Sequence, residues 1–405
     1  MTQAFENMLR LFGCGALGKE PETEYCEELS QIRNKALKQE VWDVVYAAVR
    51  GKIEKGEVAV PEDVFMQLEK IFMANVATNM RRVEFNLSTV KKLMEEGIRC
   101  CVLKGVTVAA LYAVPETRIS SDMDILIDEK DEEKVCEILK TSGYTVEERA
   151  KYDHHRKTHH KIGGLFEVHV KLHSEGTREH ILDGKVEYTE DYALNENGIY
   201  TMSVNDGLIY LSAHLIKHLI NDGIGIRQVM DLLLYMKKYD NEIDWDRYNE
   251  LMKELRYDKL IAAVKGIGVK YLGMEFEDAM TEGDGFCELL EDMECGGLFG
   301  MSDAENSQFF NLYTKRRSGN NALEHSIYRI IKGENNAFRM ILPSLKGMKK
   351  RFSYVEKCPA LLPVAWIHRI IKLSLQQLGM LKQKEGVSSI NNRKMKMIEK
   401  LGMID

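Results

Sequence analysis

Proline is scarce, with six residues in a chain of 405. So few breakers leave long helices free to form and exclude a proline-rich linker or stalk. None of the eight cysteines is spaced C-x-x-C, which excludes a zinc ribbon or a thioredoxin-type redox motif. A disulfide framework is not expected in a long chain without a secretion signal, so the thiols read as reduced. Long apolar runs are missing too. Glu6 and Arg10 interrupt the N-terminal segment, which does not read as a signal peptide. Arg369 and Lys372 interrupt Pro359 to Leu378, which is too charged for a membrane span. Basic excess is also absent: 56 Lys and Arg stand against 63 Asp and Glu, a net charge of -7. That balance argues against nucleic acid as a partner, although a local basic patch would act independently of it. Together these absences describe a soluble, cytoplasmic protein. What is present, 44% hydrophobic residues over 405 positions, is enough for a sizeable core and for two or three domains.

The apolar pattern divides the chain. Tyr25 to Lys52 reads as a helix with Leu29, Ile32, Leu37, Val41, Val44 and Val45 on one side, and Val64 to Glu96 reads as a second helical region. Residues 1–95 are therefore expected to be a helical segment. The period then changes. Arg99 to Leu103 is a short β-rich run, and Val106 to Tyr112 is helical. Ser121 to Asp128 alternates as a strand does, and so does Phe166 to Leu172. Between them Asp131 to Ser142 reads as an amphipathic helix, capped by Asp128 or Asp131 and closed by Gly143. Tyr144 to Ala150 and Lys157 to Ile162 are candidate strands. Residues 96–200 thus form an α/β core. Residues 201–285 are expected to be a helical domain on that core, with helices over Asp206 to Leu219, Ile226 to Tyr239 and Trp245 to Leu255. Residues 286–405 form a helical extension, and Gly283 to Ser307, rich in glycine and acid, reads as loop.

The chemistry is expected on the strands. Asp122 and Asp124 are two apart, so both carboxylates point to one face of their strand. Like charges that close require a counter-ion, and Mg²⁺ takes one or two carboxylates completed by water and substrate phosphates. The competing reading of Asp-x-Asp is a solvated strand face. Lys104-Gly105 stands at a strand-to-helix turn, where a glycine lets backbone N–H groups approach a phosphate and the lysine adds a cation; alone it would be an ordinary turn. Arg118 could reach a triphosphate or pair with a carboxylate, and reads equally as a surface arginine. Glu167 and His169 share one face of the later strand. If that strand neighbours the Asp122 strand, Glu167 becomes a third acid at the metals, as a ligand or as a proton acceptor. His169 reads equally as a site residue or as a structural histidine. His214 and His218, at i and i+4, could pair on a metal, but no third ligand is evident and a structural or substrate-contacting role is favoured. Arg227 and Asp231 are spaced for an ion pair. His154, His155, His159 and His160 read as cationic help to phosphates or as a polar hairpin rather than as a zinc site. The basic stretches Lys346 to Arg351 and Arg393 to Lys400 read as solvated helix faces.

In order and spacing these residues resemble the nucleotidyltransferase superfamily that includes DNA polymerase β and the aminoglycoside nucleotidyltransferases. More closely, the chain resembles an uncharacterised bacterial nucleotidyltransferase family. The resemblance is carried by Val102-Leu103-Lys104-Gly105, Leu111-Tyr112, Arg118, Ser121-Asp122-Met123-Asp124-Ile125-Leu126-Ile127, Gly143-Tyr144 and Glu167-Val168-His169. It continues through His214-Leu215-Ile216-Lys217-His218, Gly225-Ile226-Arg227 and Asp231-Leu232, and ends with Leu361-Leu362-Pro363 and Trp366. It implies an α+β fold: a polymerase β-like core of mixed sheet and helices, flanked by helical segments. It also implies transfer of a nucleoside monophosphate from an NTP, such as ATP, to a hydroxyl-bearing acceptor, small or macromolecular, with release of pyrophosphate. Asp122, Asp124 and Glu167 would hold Mg²⁺ or Mn²⁺. Lys104, Gly105, Arg118 and Ser121 would meet the nucleotide, and His169, His214, His218 and Arg227 the substrate. One departure stands out: better-known members have Gly-Ser or Gly-Gly where this chain has Lys104-Gly105, so Lys104 is expected to substitute for the missing hydroxyl. A nucleotide-binding regulatory protein without turnover, and a helical interaction scaffold, are the rival readings.

Overall fold

The computed structural model describes residues 1–149, 155–172, 192–194, 198–221, 223–296, 361, 363–366, 368 and 393–404. The chain divides into two compact units, Met1–Ser302 and Asp303–Asp405. The described residues of the second are helical over 363–366 and 393–400. His154, the tail of the expected loop over 297–307, Cys358 and the basic stretch Lys346 to Arg351 lie outside the described residues.

The first unit begins with four helices: α1 (Gln3–Leu17), α2 (Leu29–Lys38), α3 (Trp42–Glu54) and α4 (Glu62–Glu95). The single helix expected over Tyr25 to Lys52 is in fact α2 and α3. Buried Gln39 bonds at both ends of its amide, to the Met293 carbonyl at 2.7 Å and from the Ile226 N–H at 3.0 Å. Glu40 turns the chain with φ 54°. Leu37 accordingly lies 48% exposed rather than in the core. Tertiary hydrogen bonds outweigh the local helical pattern here.

A seven-stranded mixed sheet follows, in the order β3-β4-β5-β2-β1-β7-β6. Its strands are β1 (Cys101–Val102), β2 (Asp122–Leu126), β3 (Thr145–Val146), β4 (His155–His160), β5 (Gly164–His169), β6 (Tyr192–Leu194) and β7 (Tyr200–Met202). β2 is parallel to β5 and antiparallel to β1, in a register that sets Asp124 beside Glu167 and Leu126 beside His169. The connecting helices are α5 (Val106–Ala109), one turn shorter than expected, and α6 (Glu132–Thr141). Neither Asp128 nor Asp131 makes the expected side-chain cap on α6. Gly143, at φ 91°, closes α6 as the sequence suggests.

One face of the sheet is dry. Val102, Met123, Ile125, Phe166 and Val168 pack there against Val90 and Leu93 of α4 and Val135 and Leu139 of α6. The alternation of β2 and β5 sends every second side chain to this face and leaves the acids on the other. After the sheet come α7 (Val204–Asn221), α8 (Ile226–Lys238), α9 (Trp245–Glu254), α10 (Asp258–Tyr271) and α11 (Asp284–Gly296). α11 corrects the loop expected from Gly283. Phe286, Leu289, Leu290 and Met293 are buried at helical spacing, a pattern diluted in the sequence by acids and glycines. No helix among the described residues is long and apolar enough to cross a membrane.

Candidate active site

The long helix α4 fixes the site through polar residues on its buried side. Asn79 donates to the Glu116 carbonyl at 2.9 Å, and Arg82 Nη1 to the Ser120 carbonyl at 2.8 Å. Asn86 donates to the Gly163 carbonyl at 3.0 Å. The first two bonds hold the segment that feeds β2, and the third holds the turn that opens β5. Both acid-bearing strands are thus latched to one rigid element. These three residues were missed in the sequence. Their signal is there, polar side chains at i, i+3 and i+7 facing an apolar core. Gly105 sits at φ 82°, and a Cβ on it would meet Ser120 Oγ at 3.3 Å and the Asp122 carbonyl at 3.4 Å. A glycine is required at this turn because only glycine adopts that backbone at such close approach.

Asp122, Asp124, Glu167 and His169 share the face opposite the dry core. Asp124 is 1% exposed. Its Oδ1 lies 3.0 Å from His169 Nε2. Its Oδ2 makes no hydrogen bond and faces Lys104 Nζ at 3.2 Å. The same ammonium stands 3.3 Å from Asp122 Oδ2 and 2.9 Å from His214 Nε2. An ammonium can only donate, so His214 Nε2 accepts. Burial, then the positive charge of Lys104, pushes the His214 pKa well below the ordinary value, which keeps this imidazole neutral. Burial would lower the Lys104 pKa, but the two aspartates outweigh it and the pKa is raised.

Burial likewise acts to raise the Glu167 pKa. The hydrogen bond of His169 and the charge of His155 reverse this and hold the carboxyl at about 2. A carboxylate held that low serves better as an ion ligand than as a base at neutral pH. Burial acts to lower the His169 pKa, and its bonds to Asp124 and Glu167 overcome that and raise it. Asp124, Glu167 and His169 each bring a ligand atom within 4.8 Å of the others. This donor set fits a divalent cation: two carboxylates, one imidazole, and a buried Asp124 oxygen lacking a hydrogen bond.

A cleft of about 690 Å³, counting the part open to solvent, adjoins the acids. Lys104, Arg118, Arg227, His214 and His218 stand in its walls, together with Asp122, Asp231, Leu211 and Leu215. Ser121 borders the cleft at its mouth and reaches Asp122 Oδ1 at 3.4 Å. Arg118 is buried and forks onto Asp231, with Nε 2.9 Å from Oδ1 and Nη2 bonded to Oδ2. Tyr112 donates to the same Oδ1 at 2.8 Å. Arg118 lines the cleft, and its Nη1 is buried without a hydrogen-bond partner. The expected pair of Arg227 with Asp231 is therefore replaced. Arg227 turns instead to the Ile119 carbonyl at 2.9 Å and to Glu40 at 3.4 Å, while Arg118 and Tyr112 occupy the carboxylate.

The histidines separate. His214 and His218 lie with ring centroids 4.5 Å apart and planes tilted by 59°, and among the described residues no third ligand joins them. Strand alternation splits the cluster on β4. His155 faces Glu167 at 3.8 Å, His159 pairs with exposed Glu147 at 3.0 Å, and His160 stacks on Phe85 across the sheet.

A family model described as an uncharacterised nucleotidyltransferase matches residues 34–267. That is more than half of the chain and includes every residue of the acidic face and of the cleft wall. No curated protein and no solved structure matches the chain. The chain belongs to this nucleotidyltransferase family.

Proposed function

We propose that the protein transfers a nucleoside monophosphate from an NTP to a hydroxyl-bearing acceptor, with the cleft taking the triphosphate and the acidic face holding Mg²⁺ or Mn²⁺. The observation that carries this reading is the adjacency of two opposite surfaces. Buried Asp124 and half-buried Glu167, with Asp122 beside them, meet a cleft walled in part by Lys104, Arg118 and Arg227. A phosphate chain complements the cations and a divalent ion complements the acids, and a metal-bound NTP satisfies both at once.

The reaction forms a bond from the acceptor oxygen to the α-phosphorus and breaks the bond from that phosphorus to the bridging oxygen. Pyrophosphate leaves, and the hydroxyl proton passes to solvent or to a neighbouring group. A bound divalent ion would supply charge neutralisation at the phosphoryl oxygens and orientation of the attacking and leaving oxygens. Asp122, Asp124 and Glu167 would hold it. His169, bonded to Asp124, fixes the orientation of that carboxylate. Arg118 offers its unpartnered Nη1 to a phosphate while Asp231 holds the guanidinium rigid. Ser121 and the backbone at Gly105 line the approach.

Following the label tests the reading. The protein is incubated with each NTP labelled at the α- or the γ-phosphate, with Mg²⁺, and with a panel of sugars, nucleosides and protein hydroxyl acceptors. Movement of the α-label to an acceptor, with the γ-label leaving as pyrophosphate, supports it, and Asp124→Asn should lose both. Movement of the γ-label to the acceptor would make the protein a kinase and overturn the proposal.

A further inference from the structure

We infer that Lys104 is a resident counter-cation that keeps a free divalent ion out of the acidic site and leaves it when a nucleoside triphosphate enters, so that metal and nucleotide are admitted together. The inference rests on the acidic face being the metal site of the transfer proposed above.

The geometry argues it. Two aspartates on one strand face need a cation between them, and the Lys104 ammonium is that cation, 3.3 Å from Asp122 Oδ2 and 3.2 Å from Asp124 Oδ2. His169 already engages Asp124 Oδ1. The Asp124 oxygen left for an ion is therefore the one Lys104 covers. His214 Nε2 at 2.9 Å fixes the ammonium further, so it is held by two hydrogen bonds, to Asp122 and His214, and by the ion pair with Asp124. A free ion must then displace a charge that is tethered in place and hence locally concentrated.

The cleft also gives the ammonium an exit. Lys104 lines the cleft as well as the acids, and a lysine is a point charge on a flexible stem. Its side chain is 18% exposed. A triphosphate entering the cleft offers this ammonium a second anionic partner a short swing away. The acids, relieved of Lys104, then take the divalent ion that arrives with the nucleotide. By linkage, any factor by which nucleotide raises metal affinity is the factor by which metal raises nucleotide affinity.

Mn²⁺ binding, read by electron paramagnetic resonance on the full chain without nucleotide, tests the role. Lys104→Met should bind Mn²⁺ about tenfold more tightly than wild type, or more. Lys104→Arg, which still bridges the acids, should stay within about twofold of wild type. Adding Asp124→Asn to Lys104→Met should abolish the gain and so locate the ion. Where Lys104→Met fails to fold, Lys104→Gln replaces it with the same expectation. Mn²⁺ affinity in the neutral variant no higher than in wild type overturns the inference. A parallel melting experiment on wild type with Mg²⁺ and each NTP separates the two claims. No shift with any NTP counts against the proposed site itself. A shift alongside unchanged Mn²⁺ affinity in the neutral variant counts against the counter-cation alone.

Discussion

The same two strands carry opposite surfaces. On one face of β2 and β5, Met123, Ile125, Phe166 and Val168 are buried in an unbroken apolar layer. On the other, one residue away each time, Asp122, Asp124, Glu167 and His169 gather charge beside Lys104. Burial alone does not separate the faces, since Asp124, at 1% exposure, is as enclosed as Met123, at 3%. What differs is what the enclosed groups contribute. The apolar face supplies stability through area removed from water. The acidic face has like charges held together and an Asp124 oxygen left without a hydrogen bond, an arrangement that packing must support and that a ligand can satisfy.

Four substitutions sharpen that contrast. Asp124→Asn should lower turnover by about a thousandfold or more, the scale of losing a charge-stabilising group, while the melting temperature stays within a few degrees of wild type. Steady-state kinetics beside a melting curve reads both. Its mirror is Phe166→Ala on the dry face. Phe166 is fully buried, so the change should destabilise by roughly 3–5 kcal/mol in urea unfolding and spare activity per folded molecule. Asp231→Ala tests a mixed case. It leaves the buried Arg118 guanidinium without its fork and should lose roughly 3 kcal/mol, with a higher KM for the nucleotide because Arg118 is freed in the cleft wall.

The smallest effect is expected away from both faces, at Glu132. This carboxylate bonds Arg149 at 2.7 Å and Arg156 at 2.8 Å. Burial acts to raise its pKa, and the two arginines outweigh it and hold it below the ordinary 4.5. A depressed folded pKa contributes stability that is present above the unfolded value and lost as pH falls through the folded one. Glu132→Gln should therefore be less stable than wild type by roughly 1–3 kcal/mol at neutral pH. The gap should close as pH drops below about 4.5. A gap constant from neutral to acid pH would show that the arginines do not act through the carboxylate's charge.

The comparison of faces also explains what the sequence could reveal. Alternation in β2 and β5 is a local signal, so the strands, the shared face of Asp122 and Asp124, and the dry layer behind them were all legible. The adjacency of Glu167 to Asp124 was legible only on condition that the strands pair, and the parallel register supplies that. The partner of Asp231 was not. A spacing rule favours Arg227, four residues away, but Arg118 arrives from a distant turn with a bidentate fork. The break between α2 and α3 depends on Gln39 reaching Met293 and Ile226, contacts that no local pattern encodes. α11 was hidden because acids and glycines are interspersed among its buried Phe286, Leu289, Leu290 and Met293. Lys104 was visible as a cation near a phosphate turn. Its place between the two aspartates required the fold.

The most direct test of the central claim is the melting temperature of wild type and Asp124→Asn with each of the four NTPs, with and without Mg²⁺. A ligand at about a hundred times its dissociation constant adds roughly 2.7 kcal/mol, enough to move a melting curve by a few degrees. The account predicts an upward shift with at least one NTP that requires Mg²⁺ and is weakened in Asp124→Asn. A shift equal in both proteins, or indifferent to Mg²⁺, would contradict it, because the acidic face would then play no part in holding the nucleotide.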